Sequence, residues 1–112
     1  MATQRDADRC VWEETQQYLK LPYAELLQVA RRQRRVGRGL SGWRSCSGDD
    51  AFLDVSISEL RWLRRRVAVE LILSVTGQDG ARISSVAYFE RFRSGKLRGP
   101  WCAYKGVEAL QQ

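Results

Sequence analysis

A strict alternation of apolar side chains in the second half of the chain constrains the fold more than any other feature. Apolar residues occupy every second position from Val67 to Val75, and the positions between them are mixed. A period of two places the apolar side chains on one face of a β-strand. The residues of this apolar row are Val67, Val69, Leu71, Leu73 and Val75. The segment is therefore predicted to be a strand with one face buried in the core.

The segment Gln78–Gly80 determines the register of the next strand. It is typical of a three-residue hairpin loop, with Gly80 in the left-handed position after a type I turn. A loop of this length places three apolar residues on the face of the apolar row: Ile83, Ala87 and Phe89. A loop one residue longer or shorter would bring Arg82 and Glu90 onto that face. Because such a slip moves every side chain across the sheet, the sequence predicts the three-residue loop.

Two amphipathic segments precede the strands. Apolar residues at helical spacing predict a first helix over Asp8–Leu19, with Asp8 as its N-cap. A second helix is predicted over Pro22–Gln33, because proline suits the first helical position. Gly37 or Gly39 would end this helix, since Arg34 returns to its apolar stripe and argues against a longer one. A single long helix kinked at Pro22 is the alternative.

The middle of the chain predicts a hairpin followed by an ambiguous segment. Trp43–Ser47 and Ala51–Ile57 have strand character and flank the turn Gly48–Asp50. The segment Ser56–Glu59 fits a capping box, so residues 57–66 could form a short helix. Direct continuation of the strand competes with this interpretation, and the sequence does not decide between them.

The elements in this order predict an α+β fold, with the N-terminal helices packed on one face of a meandering antiparallel β-sheet. After a turn at Ser94–Gly95, Leu97–Trp101 is predicted to form a short edge strand, since Pro100 cannot donate to a ladder. We expect one domain over residues 1–112, helical over about 8–35 and β-rich over about 42–104. Small cystatin-like and NTF2-like domains share this order, as an analogy of architecture without a shared motif.

Basic residues are unusually clustered. Fourteen of the nineteen lie in three segments without acidic residues, Arg31–Arg44, Arg61–Arg66 and Arg91–Arg98. Such patches favour a polyanion or an acidic partner, because guanidinium groups bind phosphates and carboxylates with two hydrogen bonds. Codon bias and the preference of cations for helix C-termini are the blander explanations. The candidate polyanion-binding residues are Arg31, Arg32, Arg34, Arg35, Arg38, Arg64, Arg65 and Arg66.

Three aromatic residues are predicted on the face opposite the apolar row, beside basic residues: Tyr88, Phe92 and Trp101. Exposed aromatic rings beside cations are typical of a platform on which single-stranded nucleic acid stacks. Burial under a helix would make the same residues part of the core. A third interpretation is a dimer interface through the sheet.

The cysteines and the first residues of the chain bear on metal binding and on cellular location. Cys10, Cys46 and Cys102 are widely spaced, and the chain has no histidine, so we expect no metal site and three free thiols. The first ten residues are polar, which is not typical of a signal peptide, and no apolar run is long enough to span a membrane. We therefore expect a cytoplasmic protein that does not bind membranes and carries no cofactor.

These observations favour a binding protein over an enzyme, since there is no histidine and no recognisable catalytic constellation. The first hypothesis is a non-enzymatic interaction or scaffold domain that binds an acidic partner and dimerises through its sheet. The second is a nucleic-acid-binding domain that uses the arginine patches for phosphates and the aromatic residues for stacking. The third is a small-molecule pocket in an NTF2-like cone lined by Trp12, Trp43 or Tyr88.

Overall fold

Two helices precede a five-stranded sheet in which each strand pairs with the next one along the chain. The structure, a computed structural model, describes residues 2–77 and 79–104. All strand pairs are antiparallel, and both helices pack on the same face of the sheet, which confirms the predicted α+β fold. The elements are α1 (Gln4–Leu19), α2 (Tyr23–Val36), β1 (Leu40–Cys46), β2 (Asp49–Leu60), β3 (Arg66–Thr76), β4 (Arg82–Phe92) and β5 (Leu97–Cys102).

Helix α1 begins five residues earlier than predicted, because Thr3 and not Asp8 is its N-cap. The Thr3 hydroxyl accepts a hydrogen bond from the Asp6 backbone N–H, and the Asp6 carboxylate accepts one from the Thr3 N–H. This reciprocal pair satisfies two backbone donors that would otherwise lack partners at the helix start. Asp8 lies within the helix and accepts a hydrogen bond from Ser85 on β4 at 2.6 Å.

Helix α2 ends at Val36, because the next residue has a left-handed backbone. Gly37 has φ of 83°, a conformation that glycine adopts without steric penalty, and its N–H donates to the Gln33 carbonyl at 2.8 Å. Gly37 is one of the two predicted terminators. The prediction that Arg34 shares the apolar stripe was wrong, since Arg34 is exposed and the buried residue there is Gln33.

The β1–β2 hairpin has a tighter turn than predicted. Ser47 and Gly48 form a two-residue connection, and both have positive φ, at 51° and 84°. Two consecutive left-handed residues are typical of a type I′ turn, whose twist matches that of the flanking strands. Asp49 and Asp50, expected in the turn, belong to β2.

The ambiguous segment after Ile57 is a strand as far as Leu60. Residues from Ala51 to Leu60 all pair with β3, so Ser56–Glu59 continues a ladder and does not start a helix. Ile57 is 3% exposed on the core face. The burial of this side chain and the long pairing with β3 override the local capping signal.

The β3–β4 hairpin has the predicted register. Val75 pairs with Ile83, Leu71 with Ala87, and Val69 with Phe89, so these residues share one face. The Gly77 N–H donates to the Ala81 carbonyl at 2.7 Å and closes the loop. Phe89 is fully buried, with 0% of its surface exposed.

Strand β5 forms an edge of the sheet, as predicted. The turn at Ser94–Gly95 is closed by a hydrogen bond from the Gly95 N–H to the Phe92 carbonyl. The pairing with β4 shifts by one residue between Tyr88 and Glu90. Trp101 consequently lies opposite Tyr88, and both face away from the helices.

The core lies between the helices and the apolar row of β3. A disulfide bond joins Cys10 on α1 to Cys46 at the end of β1, while Cys102 is a free thiol. The expectation of three free thiols was therefore wrong, because the fold brings together two cysteines that are far apart in sequence.

Arg91 lies on the face of the sheet that the helices cover. It donates a hydrogen bond to the Leu19 carbonyl at the end of α1.

Candidate functional site

Strand β2 extends beyond the strand that covers its edge. The last β1–β2 pair is Leu40 with Val55, whereas β2 and β3 remain paired as far as Leu60. In an antiparallel sheet, the N–H and C=O of one residue point to the same neighbour, and alternate residues point to opposite neighbours. The backbone groups of Ile57 and Glu59 therefore point to the side that β1 no longer covers. This open edge can accept another hydrogen-bonding chain.

Gln33 of α2 occupies part of the space that β1 leaves free. Its side-chain Oε1 accepts a hydrogen bond from the Ile57 backbone N–H at 2.9 Å, in place of a strand carbonyl. Gln33 is only 9% exposed, and its Nε2 is buried without a hydrogen-bond partner among the described residues. Such an amide donor costs about 1–3 kcal/mol when it remains unpaired. An unpaired buried donor beside an open strand edge indicates a place for a carbonyl from another molecule.

A groove runs between the C-terminal turns of α2 and the open edge of β2. Its volume is about 490 Å³, and it is continuous along α2 with a second groove of about 480 Å³ that shares three of its residues. Together, the two grooves are lined by six arginines: Arg31, Arg32, Arg34, Arg35, Arg38 and Arg61. Among the described residues, Glu59 is the one acidic residue that lines them. We call these six arginines, Glu59 and Gln33 the α2 groove.

Two of the six arginines are paired with Glu59. The Nε atoms of Arg31 and Arg61 lie 3.4 and 3.2 Å from its carboxylate oxygens. These hydrogen bonds hold the pKa of Glu59 below its usual value, so the carboxylate stays charged at neutral pH. The other four arginines have no ion-pair partner in the part of the chain that the structure describes, and all are exposed: Arg32, Arg34, Arg35 and Arg38. The groove thus keeps a strong positive charge.

A second basic cluster lies beside the start of β3, at the same end of the sheet as the α2 groove. The Arg93 N–H donates to the Arg65 carbonyl at 3.1 Å, which holds the β2–β3 and β4–β5 loops together. Arg64, Arg65, Arg93 and Lys96 line a groove of about 420 Å³ there. The predicted polyanion-binding residues therefore divide between two grooves, with five of the eight at α2. Arg66 lies in neither and is buried on the sheet.

The three predicted aromatic residues lie on the sheet face opposite α1 and α2, which none of the described helices covers. Tyr88 and Trp101 stack with their ring centroids 5.7 Å apart, and Trp101 is half exposed. Phe92 packs against the Arg66 guanidinium, which also lies 5.3 Å from the centre of the Trp62 ring. The prediction that these residues face away from the apolar row is confirmed, and the core alternative is not.

Glu90 is the centre of a polar network on this open face. It is 6% exposed, and its carboxylate lies 3.2 Å from Arg66 and 3.6 Å from Arg98. The Tyr88 hydroxyl donates to it at 2.6 Å. Burial, and then the hydrogen bond to Glu90, raise the pKa of Tyr88 to about 12. Tyr88 therefore stays protonated at neutral pH and acts as a hydrogen-bond donor that holds the network together.

Sequence reasoning missed Gln33 and Glu90, although each had a signal. Gln33 follows Leu26 and Ala30 at helical spacing, so a polar residue occupies the apolar stripe of α2. The β3–β4 register placed Glu90 beside Ala68, in the middle of the sheet. For Gln33, a polar side chain in an apolar stripe indicates a specific hydrogen-bonding role, and for Glu90 the signal is a carboxylate between two neighbouring strands, close to Arg66 and Arg98.

The third hypothesis required a cavity between helices and sheet lined by aromatic residues. Trp43 and Tyr88 lie on the open face, so they do not border the space between the helices and the sheet. No group of three or more histidine, cysteine or acidic residues in the described ranges is arranged to hold a metal ion. None of the helices in those ranges has the length and apolar character needed to cross a membrane.

Comparison with known proteins gives no relative from which a function could be transferred. No protein family, curated protein or solved structure matches the chain.

Proposed function

We propose that this protein is an interaction domain that binds an acidic segment of a protein partner in the α2 groove. The observation that carries the proposal is the combination of an open strand edge with four arginines and a Gln33 amide that have no partner among the described residues. Arginine clusters next to unsatisfied backbone groups suit a ligand that has both carboxylates and peptide groups. An acidic polypeptide has both.

Nucleic-acid binding is the second candidate, and the arginine count supports it. Guanidinium groups bind phosphates as readily as carboxylates, and the stacked Tyr88 and Trp101 offer a surface for a base. The aromatic pair, however, faces away from the helices, whereas the α2 arginines lie on a helix that packs against the opposite face. One strand of nucleic acid would have to pass around an edge of the sheet to contact both. This separation favours the acidic protein.

The open face supports the further proposal of a homodimer through the sheet. Trp43, Val86 and Trp101 are 69%, 48% and 50% exposed there. Large apolar groups on an uncovered sheet face become buried when two copies pack together. Sedimentation velocity over a range of protein concentrations tests this: a dimer that dissociates after Trp101→Ser supports it, and a monomer at high concentration contradicts it.

Fluorescence anisotropy tests the main proposal. The protein is titrated into labelled poly-glutamate, single-stranded RNA and duplex DNA at several salt concentrations. We expect binding to the acidic peptide that weakens with salt and falls about tenfold in the double variant Arg34→Ala/Arg38→Ala. The control is Arg5→Ala/Arg82→Ala, which removes the same charge at exposed positions outside the groove.

Two results would contradict the proposal. Equal losses in the test and control variants would mean that net charge, and not the α2 groove, attracts the peptide. RNA binding that exceeds peptide binding, with a slope of about 0.7–0.9 log units per phosphate contact, would establish the nucleic-acid alternative.

The expected cytoplasmic location remains a proposal, and the disulfide bears on it. Disulfide bonds persist in oxidising compartments and are rare in the cytoplasm. A cytoplasmic location therefore requires that Cys10 and Cys46 be reduced in the cell, whereas the structure joins them. Trapping of thiols in intact cells before lysis distinguishes the two states.

A further inference from the structure

We infer that the α2 groove binds its partner by strand addition: an extended acidic peptide pairs with β2 along Ser56–Glu59 and continues the line of β1. This inference rests on the proposed function and specifies how the same site recognises its ligand. It follows from three features of the groove: the direction of the free backbone groups, the path of the chain at Gly39, and the positions of the arginines.

The free backbone groups provide a short ladder. The Ile57 N–H is already bound to Gln33, so the Ile57 carbonyl and both backbone groups of Glu59 remain on the open side of β2. Beyond them, the buried Nε2 of Gln33 lacks an acceptor among the described residues. A peptide carbonyl becomes the missing partner of this amide when the Gln33 side chain turns toward the groove as the strand docks, because Nε2 has almost no exposed surface in the free protein. The added strand thus satisfies groups that the free protein leaves unpaired.

Gly39 directs the chain away from this line. A Cβ atom on Gly39 would lie 2.6 Å from the Val55 carbonyl oxygen, so only glycine fits where the chain comes so close to β2. Gly37 and Gly39 together let the connection from α2 enter β1 at Leu40, so that no strand in the described part of the chain lies beside β2 beyond Val55 on this side. The open edge is therefore a product of the local sequence and not of a frayed strand end.

The arginines select acidic side chains at alternate positions. On an added strand, residues i and i+2 project to the same face of the sheet. Arg34 and Arg38 lie four residues apart and line the same groove, on the face where the helices pack. Two acidic residues separated by one residue can each meet one of these guanidinium groups. The sequence class that we infer is therefore Asp or Glu, any residue, then Asp or Glu, in an extended segment.

Other occupants fit these features less well. A second copy of the protein would bring the same arginines against each other, and the chain carries a net charge of +6. Nucleic acid neutralises arginines but has no alternating N–H and C=O groups to pair with a strand edge. A peptide matches both the charge and the backbone pattern, which is the mode of recognition known as strand addition.

The experiment uses two chemically matched peptides and leaves the protein unchanged. Both contain three glutamates that alternate with valines, and both carry two N-methyl groups on backbone nitrogens. In one peptide, the methyl groups lie on the residues whose amides would face β2, and in the other they are moved by one residue. We expect the first to bind at least tenfold more weakly than the second, because methylation removes a donor and blocks the approach of the strands.

Amide hydrogen exchange, followed by NMR on the isotope-labelled protein, gives the second readout. The unmethylated peptide should slow exchange of the Glu59 N–H by at least tenfold, with little change at Ser58, which points to β3. The variant Gln33→Glu keeps the acceptor for Ile57 but removes the Nε2 donor. Because the new carboxylate also repels an acidic peptide, the diagnostic result is the loss of Glu59 protection at a peptide concentration that saturates the variant, while its amide spectrum remains that of the folded protein.

The outcomes separate the inference from the proposed function. Equal affinity for the two methylated peptides, with no protection at Glu59, would show that the groove binds acidic segments without strand addition. The proposed function would then stand and the inference would fail. Absence of peptide binding at physiological salt would refute both, and protection of Glu59 that depends on protein concentration without peptide would assign the edge to a second copy.

Discussion

The disulfide bond between Cys10 and Cys46 should account for a large part of the stability of the fold. It closes a loop between residues separated by 36 positions. Cross-linking a loop of this length lowers the entropy of the unfolded chain by an amount worth about 4 kcal/mol at 25 °C. Domains of this size are typically stable by 5–15 kcal/mol, so reduction should remove a considerable fraction. We expect the reduced protein to unfold at a much lower urea concentration.

The measurement compares urea denaturation of the same protein with and without a phosphine reductant. The free energy of unfolding in water should fall by about 4 kcal/mol on reduction, and the dependence on urea should steepen as the unfolded chain expands. Cys102→Ser is the control, because Cys102 is the free cysteine and takes no part in the bond. This variant should show the same difference between oxidised and reduced forms.

Two observations would refute the reasoning about the disulfide. The first is that a thiol reagent modifies all three cysteines of the native protein, whereas the disulfide leaves only Cys102 free to react. The second is that the free energy of unfolding changes by less than about 1 kcal/mol on reduction. Cys10 and Cys46 would then already lie close together in the reduced, denatured chain. Cys10→Ala/Cys46→Ala, with little added polarity in the core, should reproduce the effect of reduction.

Two further predictions concern the groove and the open face. Gly39→Ala should destabilise the fold by about 1–3 kcal/mol, because its Cβ would collide with the Val55 carbonyl. Gly42→Ala is the control, since its Cβ meets only the flexible end of the Arg44 side chain. Thermal unfolding of both variants measures the difference in stability. Glu90→Gln should lower the pKa of Tyr88 from about 12, since it removes a negative charge beside the phenol; burial keeps that pKa above its usual value. Titration by NMR of labelled tyrosine rings measures the shift, and an unchanged pKa would mean that burial alone causes it.

The elements with strong periodicity were predictable from the sequence. The apolar row of β3 and the loop at Gly80 determined the register with Phe89 on the core face, because only one loop length keeps charged residues out of the core. The end of α2 at Gly37 was also within reach, since only a residue without a side chain adopts that backbone easily. Each of these features is determined by residues that lie close together in the sequence.

The features that the sequence did not reveal depend on contacts between distant segments. The capping signal at Ser56–Glu59 is real, but long pairing with β3 makes this segment a strand. The spacing of Cys10 and Cys46 does not show that α1 crosses the end of β1. The open edge depends on where β1 ends relative to β2, and no periodic pattern records that relation. The α2 groove could be recognised only after the arginines were placed beside this edge.

The order of the strands has a consequence for how the chain folds. Every strand pairs with its successor through a short connection, so the whole sheet can form by closing neighbouring hairpins, each with a small loss of chain entropy. Helix α1 instead meets β4 through contacts such as Asp8 with Ser85, which are 77 residues apart. Local pairings close faster than distant ones. We therefore expect the sheet to assemble first and α1 to dock late, after which the two cysteines come within reach of each other.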